Sequence, residues 1–211
     1  MANYAVVRQQ IFDMVRKAVA ADLIYLSAGN ISVRVGNNAL AITPSGIAYD
    51  DLHPEQIAIM SLDGTAIDAP YAPSSEMPMH SHILQKFDRI NAIIHTHSSY
   101  AVTFAMLGET IPVANLELFF VGAPIPVAPW ACPGTLSAGI KAATLLGQQT
   151  DLEVVLLRNH GLIAVGETLQ KAFTAALSAE CGLRAYHQSL QVGQPNILSQ
   201  EQIDEIRERY K

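Results

Sequence analysis

The sequence predicts an α/β fold in which one central sheet is covered by helices on both faces. Strand-like segments cluster in the middle of the chain, and helix-like segments flank them. The 211 residues contain no internal repeat, no low-complexity stretch and no linker, and this length suits one domain. We therefore expect residues 1–211 to form a single domain.

The helices are predicted from apolar spacing and from capping residues. Near the start of the chain, Val7, Ile11 and Val15 recur at helical spacing. Further on, Pro73-Ser74-Ser75-Glu76 is a helix-start signature in which a serine would be the N-cap. The predicted helices cover residues 4–21, 74–87, 100–107, 136–146 and 168–191, and a short one begins at Ser199.

The strands are predicted from short apolar or alternating runs that end at turn residues. Gly36-Asn37-Asn38 would join the first two strands into a hairpin. Asn159-His160-Gly161 would reverse a buried strand into the last one. The predicted strands cover residues 31–35, 39–43, 57–62, 89–97, 118–121, 125–128, 153–157 and 162–165.

Three histidines at strand ends form a candidate metal site. Because side chains alternate between the two faces of a strand, His95 and His97 point to the same side, about 7 Å apart. Neutral imidazole suits Zn²⁺ and its neighbours, although the pair could equally be one core and one surface histidine. His160 also ends a buried strand, and Gly161 would let the backbone turn tightly and approach a ligand. Together they would make the open three-ligand site that catalytic zinc uses.

The other four histidines are assigned elsewhere. His80 and His82 are two residues apart on a predicted helix, so they would point about 200° apart and could not share one metal ion. His53, beside Pro54 in a loop, and His187, late in an amphipathic helix, are interpreted as surface residues.

A carboxylate and three loops of small residues are further candidates. Glu76 lies in the first turn of a predicted helix, where it could be a capping group, a fourth metal ligand or a general base. The loops offer hydroxyl and backbone N–H donors, which together could bind a small phosphate without lysine or arginine. Each could also be an ordinary turn. The loops are Ser27-Ala28-Gly29-Asn30, Thr43-Pro44-Ser45-Gly46 and Ser74-Ser75.

Composition and missing motifs exclude several classes of protein. The net charge of −6 and the lack of Lys/Arg clusters argue against a nucleic-acid partner. There is no signal peptide and no run of transmembrane length, so no membrane partner is expected. The Walker and Rossmann glycine patterns, Gly-x-Ser-x-Gly and His-Glu-x-x-His are all absent from the sequence. A nucleotide-binding protein, a serine hydrolase and a zincin protease are therefore not expected.

Two further features bear on location and assembly. Cys132 and Cys181 are far apart and form no Cys-x-x-Cys pattern, which fits a reducing compartment, so we expect a soluble cytoplasmic protein. Only 15% of the residues are charged, which suggests that other subunits cover part of the surface.

Five motifs, in order, resemble those of the class II aldolase/adducin-like family over nearly the whole chain, to about Gln191. They are Gly29-Asn30-Ile31-Ser32, Ile42-Thr43-Pro44-Ser45-Gly46, Pro73-Ser74-Ser75-Glu76, His95-Thr96-His97-Ser98 and Asn159-His160-Gly161-Leu162. The resemblance implies a three-layer fold around a mostly antiparallel sheet. It also implies a homotetramer with active sites between neighbouring subunits.

The resemblance further implies a role for each motif residue. His95, His97 and His160 would bind one Zn²⁺ per subunit, or another divalent metal. Glu76 would be the acid/base group, and it would also touch the metal when substrate is absent. The substrate phosphate would be bound by Ser27, Gly29, Asn30, Ser45, Gly46, Ser74 and Ser75.

The implied reaction is the reversible cleavage of a phosphorylated ketose similar to L-fuculose 1-phosphate into dihydroxyacetone phosphate and an aldehyde. Well-studied aldolases of the family have a tyrosine that helps to protonate the aldehyde, but residues 115–120 contain none. Glu117 lies near that position, and Tyr210 lies in a short C-terminal tail. The family's epimerases typically have aspartate where this chain has Glu76, which favours an aldolase. A sugar-phosphate 4-epimerase, a sugar-acid phosphate decarboxylase and a non-catalytic scaffold remain alternatives.

Overall fold

One eight-stranded sheet forms the middle layer of the computed structural model, which describes residues 4–210. Residues 1–3 and Lys211, which belong to the predicted domain, lie outside the described range. The strands are β1 (Asn30–Val35), β2 (Ala39–Ile42), β3 (Ala58–Ser61), β4 (Ala66–Asp68), β5 (Ala92–Thr96), β6 (Val127–Ala128), β7 (Val154–Leu157) and β8 (Gly161–Gly166). The helices are α1 (Ala5–Ala20), α2 (Met77–Lys86), α3 (Ser99–Leu107), α4 (Leu116–Phe120), α5 (Leu136–Leu146), α6 (Leu169–Val192) and α7 (Gln200–Arg209).

The strand order is β4-β3-β2-β1-β5-β8-β7-β6, and every neighbouring pair is antiparallel except β6 and β7. The predicted mostly antiparallel sheet is therefore confirmed. Both predicted hairpins form: Gly36 adopts a positive φ of 58° between β1 and β2, and Asn159 adopts a φ of 56° between β7 and β8. Glycine and asparagine tolerate this left-handed conformation better than other residues.

Helices cover both faces of the sheet, as the sequence predicts. On one face, Ile31 and Ile94 belong to a core shared with α1, α3, α4 and α6. On the other face, Leu40, Ile93 and Ile163 belong to a second core shared with α2 and α5. Because both faces are buried, successive residues of β2, of β7 and of the middle of β8 are apolar, which explains their continuous hydrophobic runs.

Two strand predictions differ from the structure. Residues 118–121 were expected to form a strand, but they belong to α4 and its C-terminal end, where the Asn115 side chain accepts a 3.0 Å hydrogen bond from the Leu118 N–H. Such a short apolar run suits a strand or a helix equally well. The Asn115 N-cap and the packing of Leu118 against Gly182 of α6 favour the helix. The unpredicted strand β4 has only three residues, all exposed, and therefore leaves no apolar pattern.

The start of α2 also differs from the prediction. The predicted serine N-cap is wrong, because the helix begins at Met77 and Glu76 occupies the N-cap position. The Ser74 hydroxyl instead accepts a 3.2 Å hydrogen bond from the Glu76 N–H, in a turn that precedes the helix. The Glu76 side chain caps no helix amide, so it is available to other groups.

Within residues 4–210, no helix is both long enough and apolar enough to cross a membrane. Cys132 and Cys181 are both free, and Cys132 is exposed.

Candidate metal centre

The pairing of β5 with β8 brings the three strand-end histidines together. His95 lies opposite Ile163 in this ladder, His97 directly follows β5, and His160 directly precedes β8. The three imidazole rings form a triangle whose centroids are 4.7 to 4.9 Å apart. Two segments that are more than sixty residues apart in sequence therefore meet at one edge of the sheet.

Glu76 completes this cluster from the N-terminal end of α2. Its Oε2 atom is 3.0 Å from Nε2 of His95, and its Oε1 atom is 3.5 Å from Nε2 of His160. One potential ligand atom from each of Glu76, His95, His97 and His160 lies within 4.8 Å of all the others. Two nitrogens bound to one tetrahedral zinc lie about 3.3 Å apart, so these four side chains could hold one metal ion. The capping interpretation of Glu76 is wrong, because its carboxylate faces the histidines.

The protonation chemistry of the cluster suits a divalent cation. Burial and the neighbouring His95 lower the pKa of His97 and of His160 to about 4, so both rings are neutral at pH 7 and can act as ligands. Burial opposes ionisation of Glu76, but the electrostatic interaction with His95 and the hydrogen bonds with His95 and Asn30 hold its pKa well below the usual range. Its Oε1 atom is buried and has no hydrogen-bond donor among the described residues. A buried carboxylate in this state is stabilised by a bound cation.

Two hydrogen bonds orient these side chains. Nδ1 of His95 is 2.9 Å from the carbonyl oxygen of Leu162. Because a carbonyl only accepts, Nδ1 carries the hydrogen and Nε2 faces the cluster. The Asn30 side chain donates a 2.9 Å hydrogen bond through Nδ2 to Oε2 of Glu76. Asn30 was predicted to bind phosphate, and in the structure its side chain holds the Glu76 carboxylate.

Gly161 makes room for the histidine rings. A Cβ atom at this position would overlap the carbonyl oxygen of Thr96 and would lie 3.2 Å from ring carbons of both His95 and His97. The positive φ that the turn requires occurs at Asn159, not at the glycine. The close approach predicted at Gly161 is therefore an approach to β5 and its histidines, and it lets β8 begin directly beside them.

All seven residues predicted to bind phosphate line one cavity of about 280 Å³ beside this cluster. Glu76, His97 and His160 also line it, whereas His95 is completely buried beneath. No lysine or arginine of the described chain lines this cavity, so hydroxyl and N–H groups are the donors available to an anion. The remaining lining residues are Ala28, Pro44 and Pro133.

Two larger surface clefts have different chemistry. One of about 430 Å³ lies between α1 and the start of α6, and one of about 320 Å³ is lined by residues that include Arg89, Glu153 and Lys171. No histidine lines either cleft. Because the smaller cavity alone of these three is lined by histidines, we take it as the candidate active site.

Neither residue considered as a substitute for the family's tyrosine lines this cavity. Glu117 is exposed in the first turn of α4. Tyr210 is largely exposed and packs edge-on against Phe120, with ring centroids 5.2 Å apart. Within one described chain, the structure therefore brings neither of them to the histidines.

The remaining histidines behave differently from one another. His53 is exposed, as predicted. His187 was interpreted as a surface residue, but it is half-buried, and its ring packs near Tyr100 and Phe104 between α3 and α6. The surface interpretation of His187 is therefore wrong, because α3 covers that side of α6.

Sequence reasoning missed His80 as a neighbour of the cluster. It is completely buried, and its Nδ1 atom is 2.7 Å from the hydroxyl of Ser32 in β1. Burial, together with the nearby His95, lowers its pKa to about 3, so the ring is neutral. The sequence contains one signal for this placement: His80 follows Glu76 by four residues, which puts both on one side of the helix.

Comparisons with known proteins agree with this arrangement. The family described as "Class II Aldolase and Adducin N-terminal domain" matches residues 9–187. The chain is 34% identical over 205 residues to a 5-deoxy-D-ribulose 1-phosphate aldolase of Bacillus thuringiensis serovar kurstaki, covering 97% of this chain and 95% of that protein. It is 32% identical to a 5-methylthioribulose-1-phosphate/5-deoxyribulose-1-phosphate aldolase of Rhodospirillum rubrum, covering 97% and 90%. A solved structure of an L-fuculose 1-phosphate aldolase superposes with a TM-score of 0.91 and 32% identity, covering 100% and 98%.

The chain therefore belongs to the class II aldolase and adducin family. These three relatives are named aldolases, which are lyases. The chain is accordingly an enzyme of the class II aldolase type, with a cluster of one glutamate and three histidines that could bind a metal ion.

We expect Gly161→Ala to destabilise the protein by about 1–3 kcal/mol, because the added methyl group overlaps the Thr96 carbonyl and crowds both histidine rings. Urea unfolding measures the free energy. Gly193→Ala is the matched control, since a Cβ there meets no atom within 4 Å. Equal unfolding free energies for the two variants would contradict the packing argument.

Proposed function

We propose that this enzyme is a Zn²⁺-dependent aldolase that reversibly cleaves a ketose 1-phosphate between C3 and C4, and that residues 1–211 form one domain of the family. The observation that carries the proposal is the shared cavity. Glu76, His97 and His160 line it together with seven residues able to donate hydrogen bonds to a phosphate, and His95 completes the cluster beneath. Another divalent metal could replace zinc in the same donor set.

His95, His97 and His160 would hold the cation, and Glu76 would occupy a further position in the absence of substrate. Three protein ligands leave the open position that a catalytic site needs. A bound Zn²⁺ would supply Lewis-acid stabilisation of the negative charge that develops as the C3–C4 bond breaks. The Leu162 carbonyl supports this role, because it keeps Nε2 of His95 directed at the cluster.

Glu76 would exchange the proton at C3. When the bond breaks, the electron pair remains on C3, the C4 hydroxyl loses its proton and C4 becomes the aldehyde carbon. Protonation of C3 then gives dihydroxyacetone phosphate, and the reverse reaction removes the same proton. The ionised state of Glu76 and its hydrogen bond from Asn30 suit it to accept that proton in the synthetic direction.

The phosphate would bind at the other end of the cavity. Ser45 and Ser74 lie on segments joined by backbone hydrogen bonds, of which Ser74 N–H to the Thr43 carbonyl measures 2.9 Å. A bridge between Pro44 and Pro73 holds the same two segments together. Because both N–H groups are used in these backbone hydrogen bonds, the Ser45 and Ser74 hydroxyl groups would be the donors to a phosphate, held on fixed segments that position the rest of the substrate against the cation.

The names of the relatives suggest which sugars to test. Two are named for 5-deoxyribulose 1-phosphate, which would give acetaldehyde as the second product, and one for L-fuculose 1-phosphate, which would give lactaldehyde. We propose that the substrate is a ketose 1-phosphate of this kind. The epimerase alternative is less well supported, because the family's epimerases typically have aspartate where this chain has Glu76, and the decarboxylase remains an alternative for the screen below.

A screen of phosphorylated sugars tests the proposal. We expect Zn²⁺-loaded protein to release dihydroxyacetone phosphate from 5-deoxyribulose 1-phosphate or L-fuculose 1-phosphate, measured with NADH and glycerol-3-phosphate dehydrogenase. A chelator should abolish the signal, and added Zn²⁺ should restore it. Release of CO₂ or inversion of a stereocentre without dihydroxyacetone phosphate would contradict the aldolase and support an alternative. Protein that binds no metal would support a scaffold.

We expect Glu76→Gln to slow cleavage by roughly 10²–10⁴-fold, because the amide cannot exchange the C3 proton. The variant should equally slow exchange of that proton of dihydroxyacetone phosphate with deuterated water, measured by NMR. Glu55→Gln, at an exposed glutamate, is the control for loss of one charge. If cleavage by Glu76→Gln matched the control, the acid/base assignment would be wrong.

We expect His160→Ala to lose stoichiometric zinc, because it removes one of three histidine ligands. Metal content of dialysed protein, measured by mass spectrometry, checks this. His53→Ala removes an exposed histidine that belongs to neither the cluster nor the cavity lining, and it should keep its zinc. Full zinc occupancy in His160→Ala would exclude the three-histidine site.

We also propose a cytoplasmic homotetramer with active sites between subunits. The two unpaired cysteines suit a reducing compartment. Large apolar side chains remain half-exposed on α4, at Leu116 and Phe120, and on α5, at Leu136 and Ile140, where a neighbouring subunit would cover them. We expect light scattering to give four times the mass of one chain. A monomer at micromolar concentration would contradict the tetramer.

A further inference from the structure

We propose that Glu180 is a positioning residue for the metal centre: it fixes the segment that carries His97 and offsets the positive end of α3 beside the cation. Glu180 lies in the middle of α6, on a different element from every residue of the candidate site. The inference rests on the proposed function, since a site that holds no cation would not need this arrangement.

The Glu180 carboxylate accepts three hydrogen bonds from the start of α3. Oε2 accepts from the Ser98 hydroxyl at 2.8 Å and from the Ala101 N–H at 2.9 Å. Oε1 accepts from the Tyr100 N–H at 2.9 Å. These donors are about eighty residues away in sequence, so the contact ties α6 firmly to the junction between β5 and α3.

This carboxylate replaces the usual N-cap. Ser98 occupies the N-cap position of α3, but its hydroxyl does not cap the helix. It donates to Glu180 instead, and it lies 3.2 Å from the Thr96 hydroxyl. An N-cap serine normally accepts a hydrogen bond from one of the first helix N–H groups. Here the Glu180 carboxylate of α6 accepts from those of Tyr100 and Ala101.

His97 lies between these two anchored residues. Thr96 is held in the β5 ladder on one side, and Ser98 is held by Glu180 on the other. For His95, the Leu162 carbonyl orients the ring directly. The His97 ring has no such carbonyl partner among the described residues. Its Nε2 atom lies 2.9 Å from Nε2 of His95. The orientation of His97 therefore depends on the backbone that Glu180 holds.

Glu180 also changes the charge at the start of α3. A helix N-terminus carries a positive partial charge of about half an electron, and α3 begins two residues after His97. That charge would repel a divalent cation bound by His97. Glu180 is half-buried and faces these helix amides, so its negative charge offsets the repulsion. Glutamine at this position would retain the size, but it would lose the charge and replace one acceptor by a donor.

The test compares two variants of the full chain, Glu180→Gln and Glu167→Gln. Each loses one negative charge, but Glu167 is exposed just before α6 and pairs with Lys171 at 2.7 Å. Competition with a chromogenic chelator measures the Zn²⁺ affinity of the metal-free proteins. We expect Glu180→Gln to bind Zn²⁺ roughly 10–100-fold more weakly than Glu167→Gln, as when the support of a metal ligand is removed. Glu180→Asp, which keeps the charge, should bind more tightly than Glu180→Gln.

Equal Zn²⁺ affinities for Glu180→Gln and Glu167→Gln would overturn the inference, even if Glu180→Gln lowered the melting temperature of the metal-free protein. That combination would indicate a structural role alone. If Glu180→Gln does not fold, Ser98→Ala decides, since loss of one hydrogen bond to the carboxylate should weaken binding roughly two- to tenfold. Unchanged affinity in Ser98→Ala would then overturn it. Failure of the parent protein to bind Zn²⁺ would instead contradict the proposed function.

Discussion

The antiparallel pairing of β5 with β1 and β8 is the constraint on which the rest of the site depends. In antiparallel neighbours, the end of one strand lies beside the start of the next. The end of β5, with His95, therefore lies beside Asn30 at the start of β1 and beside the residues that begin β8. The end of β2, which leads to Ser45, lies at the same edge. One edge of one sheet thus collects loops from four distant parts of the chain.

Close packing at this edge limits which residues can occupy it. Gly161 is required because the backbone of β8 passes against the Thr96 carbonyl and between two imidazole rings. Gly29 has a φ of 83°, and a Cβ there would lie 2.7 Å from the His95 carbonyl oxygen. Both glycines leave space for β5. The motifs that contain Gly29 and Gly161 are therefore constrained by packing against the motif that contains His95.

The electrostatics of the cavity follow from the same packing. Glu76 and the histidines are largely shielded from water, and no lysine or arginine of residues 4–210 lines the cavity. In the proposed function the cation is therefore the principal positive charge available to the substrate. In that proposal, neutral donors would bind the phosphate, while Asn30 and Glu180 would orient the groups around the metal.

Local patterns in the sequence determined the two-sided sheet, both hairpins and the residues that could bind a metal or a phosphate, because strand alternation and turn preferences act over few residues. They did not determine whether residues 118–121 form a strand or a helix, since packing of Leu118 on α6 decides between them. Only the tertiary structure decided among the candidate roles of Glu76, by placing its carboxylate beside His95, and it also buried His80 against Ser32 and brought Glu180 to α3. Contacts between distant segments leave no periodic trace in the sequence, so only the folded chain reveals them.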